Sequence, residues 1–384
     1  MPFFIGSGGN SVIAVPDNLI FNPGAIITGN VFVQVTTSTD FSGVFLKLSG
    51  KETVRWVEET TVYRKQTERV LRNGNWESRA VTTAVRVPVT HLGKHIIFKA
   101  ECMIMQGGTL LQGQYTIPFS FQLPNGIPGS FSLSGISRSH PYSCDVGYSI
   151  KAIVRVPGLL KSNLRHVTPI SVIQPPPQFS TAIVASTRSN ISLLCCIPRG
   201  YADLSFRCEK DAFYTGESVE VVASAVNNSK SSIKRLAIKL RRTIELRSNT
   251  GGFLFLEETI SEQFGPAVQS RTGVENLPMK LQIPFGTPQQ CFGSIIRCLY
   301  SVRLAGKVRW GTDAKCTVPA FIYDAYSERV PEMVFGSTWQ PTVLPPVNLT
   351  LSTPLSIPSP ITIDAYADSH GLQPSAPPCD VSNM

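Results

Sequence analysis

Phe21-Asn22-Pro23-Gly24-Ala25-Ile26-Ile27-Thr28-Gly29-Asn30-Val31-Phe32-Val33 is the stretch on which the reading of the fold turns. Pro23 fixes φ for the second position of a type II turn, and Gly24 accepts the positive φ of the third. An apolar strand follows, with Gly29 free to bend or bulge it. A polar loop, Ser38-Thr39-Asp40, leads to a second strand in which Val44, Leu46 and Leu48 alternate with Phe45 and Lys47. The same order recurs in the second half. Phe213-Tyr214-Thr215-Gly216 opens a strand, Asn227-Asn228-Ser229-Lys230 forms the polar loop, and Leu236, Ile238 and Leu240 alternate along the next strand. Phe121-Gln122-Leu123-Pro124 then corresponds to Leu281-Gln282-Ile283-Pro284, and Tyr148-Ser149-Ile150-Lys151 to Tyr300-Ser301-Val302-Arg303. Three matches in one order argue for two copies of a single fold.

Period-two alternation predicts strands with one face buried. Turn signals recur at Asn73-Gly74, Gly107-Gly108, Asn125-Gly126 and Gly251-Gly252, and only residues 89–99 hint at a short helix. The pattern predicts an all-β chain of two tandem immunoglobulin-like sandwiches. The expected division is a first sandwich over 1–173, a hinge over 174–180, a second sandwich over 181–325 and a tail over 326–384. Pro175, Pro176 and Pro177 would stiffen the hinge into an extended spacer. The tail is rich in Pro, Ser and Thr and is expected to be flexible and disordered. Removing residues 330–384 is accordingly expected to leave the melting temperature almost unchanged.

The chain has 384 residues, 42% of them hydrophobic and 16% charged, a globular balance with room for two or three domains. A net charge of +9 favours anionic partners. Of the nine cysteines, none forms a Cys-x-x-Cys pair, so zinc-type spacing is absent. The start, Met1-Pro2-Phe3-Phe4-Ile5-Gly6, lacks the charges and apolar core of a secretory leader. Free thiols in a reducing compartment are therefore expected, with the sequons at Asn190, Asn227 and Asn348 inert. No apolar run reaches the roughly 20 residues of a spanning helix, so membrane contact is expected to be peripheral.

These residues resemble the arrestin family, in particular its arrestin-domain-containing branch. The turn and strand at Phe21–Val33 are similar to the family's opening pattern. The string Leu111-Gln112-Gly113-Gln114-Tyr115-Thr116-Ile117-Pro118-Phe119-Ser120-Phe121-Gln122-Leu123-Pro124, running on to Ile127-Pro128-Gly129-Ser130-Phe131, is the stronger match. Tyr148–Val156 and Asp211–Ile238 extend the likeness, which covers roughly residues 12–322. The resemblance implies two sandwiches joined by a short hinge, without enzymatic activity or cofactor. It implies a cytosolic adaptor, peripheral at the plasma membrane or endosomes. Such an adaptor would bind cytosolic tails of membrane proteins and link them to endocytic, sorting or ubiquitin-ligase machinery. A structural subunit of an endosomal sorting coat shares the architecture and is the alternative, as is a basic sandwich on anionic lipid.

Two family features are missing. The resemblance implies a buried salt-bridged core that phosphate disrupts, yet Thr168-Pro169-Ile170-Ser171, where its arginine would sit, has no basic residue. The segment between Pro284 and Tyr300, where its aspartates would lie, has no acid. A phosphate-released switch is thus not expected. Nor does the chain carry the branch's Pro-Pro-x-Tyr ligase motif: Pro345-Pro346-Val347-Asn348 and Pro377-Pro378-Cys379-Asp380 lack the tyrosine, and Pro176-Pro177-Gln178-Phe179 is a near miss.

Catalytic patterns are absent: no Gly-x-Ser-x-Gly, no phosphate-binding glycine loop, no dinucleotide fingerprint. The histidines at 91, 95, 140, 166 and 370 are scattered, and no metal is expected. Two basic clusters are the candidate sites for an anionic partner. Lys234, Arg235, Lys239, Arg241, Arg242 and Arg247 crowd one segment, with Lys239 and Arg241 on its open face; the competing role is an edge guarded against aggregation. Arg64 and Lys65 belong to a second spread with Arg69, Arg72, Arg79 and Arg86, on a hairpin tipped by Asn73-Gly74. Trp56 and Trp76 are either core residues or peptide anchors. An exposed sheet edge offers main-chain pairing to an extended peptide. Nucleic acid is not an expected partner.

Overall fold

The computed structural model describes residues 3–5, 9–72, 75–137, 139–158, 162–175, 181–193, 197–309, 311–324, 333–335 and 341–349. Its elements are all strands. In the first half these are β1 (Phe3–Ile5), β2 (Ser11–Pro16), β3 (Ile20–Phe21), β4 (Ile26–Val35), β5 (Thr39–Arg72), β6 (Asn75–Leu110), β7 (Gly113–Gln122), β8 (Phe131–Ser137), β9 (His140–Arg155) and β10 (Leu164–Val172). In the second half they are β11 (Ile183–Leu193), β12 (Ile197–Cys208), β13 (Ala212–Tyr214), β14 (Ser218–Asn227), β15 (Ile233–Arg247), β16 (Phe253–Phe264), β17 (Thr272–Gln282), β18 (Cys291–Phe292), β19 (Ile296–Val308) and β20 (Ala314–Tyr323). Three short strands follow: β21 (Met333–Phe335), β22 (Thr342–Val343) and β23 (Val347–Leu349).

The internal repeat holds for β2–β10 against β12–β20, with an offset of ten, while β11 adds outside β12 without a counterpart in the first half. The sheet order β3-β10-β9-β5-β6 in the first half is repeated as β13-β20-β19-β15-β16 in the second, and β2-β4-β7 is repeated as β12-β14-β17. Even the side branch repeats, β8 on β9 and β18 on β19. Each half is thus a sandwich of two sheets, as its alternating pattern requires. Side-chain contacts repeat as well. The Tyr148 hydroxyl donates to the Pro128 carbonyl, and the Tyr300 hydroxyl to the Pro288 carbonyl at 2.7 Å. Each phenol buries its ring and uses its one polar atom to pin the proline segment crossing the end of its sandwich. Burial raises the pKa of both. The opening turns also match: Gly24 has φ +77° and Gly216 has φ +87°, and each turn closes with a backbone bond of 3.1 Å, Ala25 N–H to Asn22 and Glu217 N–H to Tyr214.

The expected helix near 89–99 is instead part of β6, which pairs with β5 from Val89 opposite Glu58 to Lys99 opposite Ser49, with one bulge at Ile97. Pairing along a neighbouring strand overrides a weak local helical preference. Trp56 is a core residue, 1% exposed and stacked on His91, whereas Trp76 is 70% exposed. Asn227 is fully buried. Its amide donates to the carbonyls of Ser231, Val268 and Gln269, so this sequon residue is a turn pin inside the fold.

Residues 341–349 depart from the expected flexible tail. Thr342–Val343 and Val347–Leu349 add in parallel to the outer edge of β7, opposite Tyr115–Thr116 and Phe119–Phe121. Leu349 is 6% exposed, and Leu344 and Val347 pack against the core. Composition averaged over the whole segment hides this short apolar run, which borrows a ready-made sheet edge rather than building a core of its own. Met333–Phe335 pairs likewise with β1. The rest of the tail, including residues 350–384, lies outside the described residues, as do Pro176 and Pro177 of the hinge; Pro175 is exposed.

Because Leu344, Val347 and Leu349 seal the β7 edge, deleting residues 341–384 should lower the melting temperature by at least about 5 °C. Differential scanning calorimetry checks this; an unchanged transition would show that the strand contributes nothing to stability.

Candidate functional site

The basic cluster of the second half folds onto β15, and β16 supplies carboxylates across from it. Lys239 pairs with Glu262 at 2.8 Å, Arg241 with Glu257 at 2.6 Å and Arg242 with Glu258 at 2.5 Å. Arg303 of β19 shares Glu257, and Arg297 faces Glu245. Arg235 and Arg247 lie over the rings of Phe264 and Phe253. Lys234 is exposed. Positive charges chosen from one strand thus meet a matching acidic row on the next, which softens the field available to an anionic partner. Arg64 and Lys65 are elsewhere, exposed on the projecting part of the β5–β6 hairpin and on opposite faces of it.

The seam between the sandwiches contains a residue that the sequence reading missed. Glu52 on β5 is 1% exposed, and its carboxylate accepts the backbone N–H groups of Ser294, Ile295 and Ile296, at 2.9, 2.8 and 3.2 Å. A buried carboxylate is tolerable only with such charge-assisted bonds. The resemblance directed attention to acids in the 284–300 segment; the acid instead comes from the first sandwich and the segment answers with its backbone. Gln289 continues the clasp, donating to the Ser130 carbonyl at 2.9 Å and accepting from the Gln174 N–H at 3.4 Å. On the other side of the seam, Asn249 N–H donates to the Leu92 carbonyl at 3.1 Å. The Tyr142 hydroxyl donates to Glu258, which also holds Arg242. Thr168, where the family's arginine would sit, is buried and donates to the Ala14 carbonyl.

Apolar packing makes the seam continuous: buried residues of both sandwiches form one cluster. Of its five buried thiols three neighbour one another, Cys144 from β9, Cys291 from β18 and Cys298 from β19, the last two directly opposite one another. Burial, reinforced by the neighbouring Cys298, pushes the Cys144 thiol up to about 12. Burial, with a smaller push from Glu258, outweighs Arg242 and the Tyr300 hydrogen bond in raising Cys298 to about 12. Tyr142 rises to about 12 through burial and the Glu258 charge. Among the described residues no group of three His, Cys, Asp or Glu side chains is placed to hold a metal, and no helix is long and apolar enough to cross a membrane.

The third surface is the outer edge of β7. On its inner side β7 pairs with β4, from Gly113 opposite Val35 to Gln122 opposite Ile26. Its outer side holds the tail through backbone bonds such as Leu344 N–H to the Thr116 carbonyl, 2.8 Å. The Pro345-Pro346 step lies between the two paired segments, alongside the part of β7 that contains Pro118, so the ladder pauses where both strands lack N–H donors. This edge is occupied by an extended segment of the chain itself, and the geometry is that of strand addition.

Two outcomes test the seam. Glu52→Ala should destabilise the chain by about 3 kcal/mol, and Glu52→Gln by about half of that, because buried N–H groups lose a charged acceptor; urea unfolding measures both. The raised thiols and phenol keep their protons in the folded state at pH values where the unfolded chain has lost them. Their contribution is therefore complete below about pH 9 and is lost as pH rises from 9 towards 12. The urea midpoint should fall steadily over that window, and Cys144→Ala should flatten the slope whatever it does to stability at neutral pH.

Comparison with known proteins agrees with this architecture. Residues 14–176 match the family model described as arrestin (or S-antigen), N-terminal domain, and residues 198–325 match arrestin (or S-antigen), C-terminal domain. Arrestin domain-containing protein A of Dictyostelium discoideum is 23% identical over 301 residues, which is 78% of this chain and 49% of that protein. Arrestin domain-containing protein B of the same organism is 24% identical over 200 residues, 50% of this chain and 29% of that protein. The chain thus spans half or less of the length of these relatives. The two family models together match most of both sandwiches, and this chain belongs to the arrestin family, among proteins with arrestin domains.

Proposed function

We propose that this chain is a non-enzymatic cytosolic adaptor that takes up extended cytosolic segments of membrane proteins and links them to endocytic, sorting or ubiquitination machinery. The observation that carries the reading is the β7 edge, which holds Thr342–Val343 and Val347–Leu349 by main-chain pairing. A strand that binds through its backbone tolerates many side-chain sequences, which suits a receiver of varied cargo. Family membership supports the same role. The seam supports it mechanically, since a buried clasp between the sandwiches lets two surfaces of one body act at a fixed spacing. In this reading the chain's own 341–349 segment competes with cargo for the edge. The divisions at residues 173 and 181 are part of the proposal, with the proline stretch as the joint.

Val347→Asp together with Leu349→Asp should free the edge without touching β7 itself. In cells, proximity labelling by the variant should enrich membrane and trafficking proteins more strongly than labelling by the unaltered chain. Neighbours that include no membrane or trafficking proteins in either case would sink the adaptor reading.

A further inference from the structure

The β5–β6 hairpin runs well past the body of the first sandwich. The last β9 partner of β5 is Tyr142, opposite Trp56. Beyond that point β5 and β6 pair only with each other, from Val57 opposite Thr90 to Arg72 opposite Asn75. Sixteen residues per strand at strand rise give a ribbon of roughly 50 Å. A two-stranded ribbon of this kind gains little stability of its own in water.

Register sorts its side chains into two unlike faces. No register shift occurs between Lys51 and Arg72, so odd positions of β5 share a face with even positions of β6. Beyond Thr61 that face carries Tyr63, Lys65, Thr67 and Arg69, and, across from them, Ala84, Thr82, Ala80 and Ser78, with Trp76 near the tip. It has basic residues and no acid. Tyr63 is 71% and Trp76 70% exposed. The opposite face sets Glu68 across from Arg79 and Val62 across from Val85. That face also carries Arg64, across from Thr83, and so mixes both signs, whereas the Tyr63–Trp76 face is basic throughout.

We infer that this Tyr63–Lys65–Arg69–Trp76 face is a docking surface for an anionic lipid bilayer. Exposed Trp and Tyr partition to the head-group region, and each Lys or Arg there is attracted by acidic lipid. Both ribbon edges carry unpaired backbone groups, which cannot enter hydrocarbon. The ribbon consequently lies flat at head-group depth, with only the two aromatic rings reaching inward. A second copy of this face would be repelled by like charge. Tyr63 and Trp76 stand about 26 Å apart along the ribbon, too far for the successive base stacking of a single-stranded nucleic acid. This surface is independent of the β7 edge and of the adaptor reading.

The test uses the full chain in co-sedimentation with phosphatidylcholine vesicles, with and without phosphatidylserine. Binding is expected only with phosphatidylserine and is expected to weaken with salt, and Trp76 should report it by a blue shift absent from Trp76→Phe. Lys65→Gln with Arg69→Gln should weaken binding by about thirtyfold. A hairpin shortened by joining Thr61 to Arg86 through an Asn-Gly turn should abolish it with the body intact. Lys234→Gln, an exposed charge elsewhere, should change it little. Equal binding to neutral vesicles, an effect of Lys234→Gln as large as that of the ribbon pair, unchanged binding by the shortened hairpin, or tighter binding to single-stranded RNA than to acidic vesicles would each overturn the proposal.

Discussion

Glu52 is the constraint around which the two halves are arranged. A carboxylate with 1% exposure has left water behind, and only the three converging N–H groups of residues 294–296 make that tolerable. Those donors are available because the chain turns from β18 into β19 at that point, leaving amides unpaired. The acid sits on β5, the long strand between β9 and β6, so the position of the second sandwich is referenced to the middle of a sheet in the first. Gln289 and Tyr142 extend the same logic on either side with neutral donors. Where the family resemblance implied charge paired against charge, this chain opposes a charge to backbone dipoles.

Much of this architecture is written in the residues. The turn pairs Pro23-Gly24 and Thr215-Gly216, the alternating valines and leucines, and the repeated Tyr-Ser-(Ile/Val)-(Lys/Arg) strand state two copies of one sandwich, and the strand order bears that out with an offset of ten. These signals are local, since a turn and a two-residue period need only near neighbours. Glu52 was not legible for the opposite reason. In sequence it falls in phase with Val44, Leu46, Leu48, Val54 and Trp56, so alternation marks the position as inward, but what an acid there would meet is not local: its partners are 242–244 residues away. The basic cluster was visible but its context was not: Lys239, Arg241 and Arg242 read as a charged strand until register sets Glu262, Glu257 and Glu258 within reach. The tail shows the limit of composition. Val343-Leu344 and Val347-Asn348-Leu349 are too short to weigh against the prolines around them, yet a bare edge is all they need.

Charge is distributed by the same sheet geometry. On β15 and β16 the cross-strand pairing cancels it, and cation–π contacts of Arg235 and Arg247 cover what the glutamates do not. On the projecting hairpin the pairing sorts it, sending Glu68 to one side with Arg64 and Arg79, and Lys65 and Arg69 to the other, where no acid accompanies them. A net charge of +9 is therefore a poor guide to where an anionic partner would land, and strand register is a better one.

The closing of β7 by β22 and β23 has a consequence for synthesis. The strand that finishes this sheet leaves the ribosome roughly 220 residues after the edge it covers. At ordinary elongation rates the nascent first sandwich waits about 10–45 s with hydrogen-bonding groups bare. Through that interval the bare edge is open to pairing with any extended segment nearby, and messages that pause within the second half lengthen the exposure.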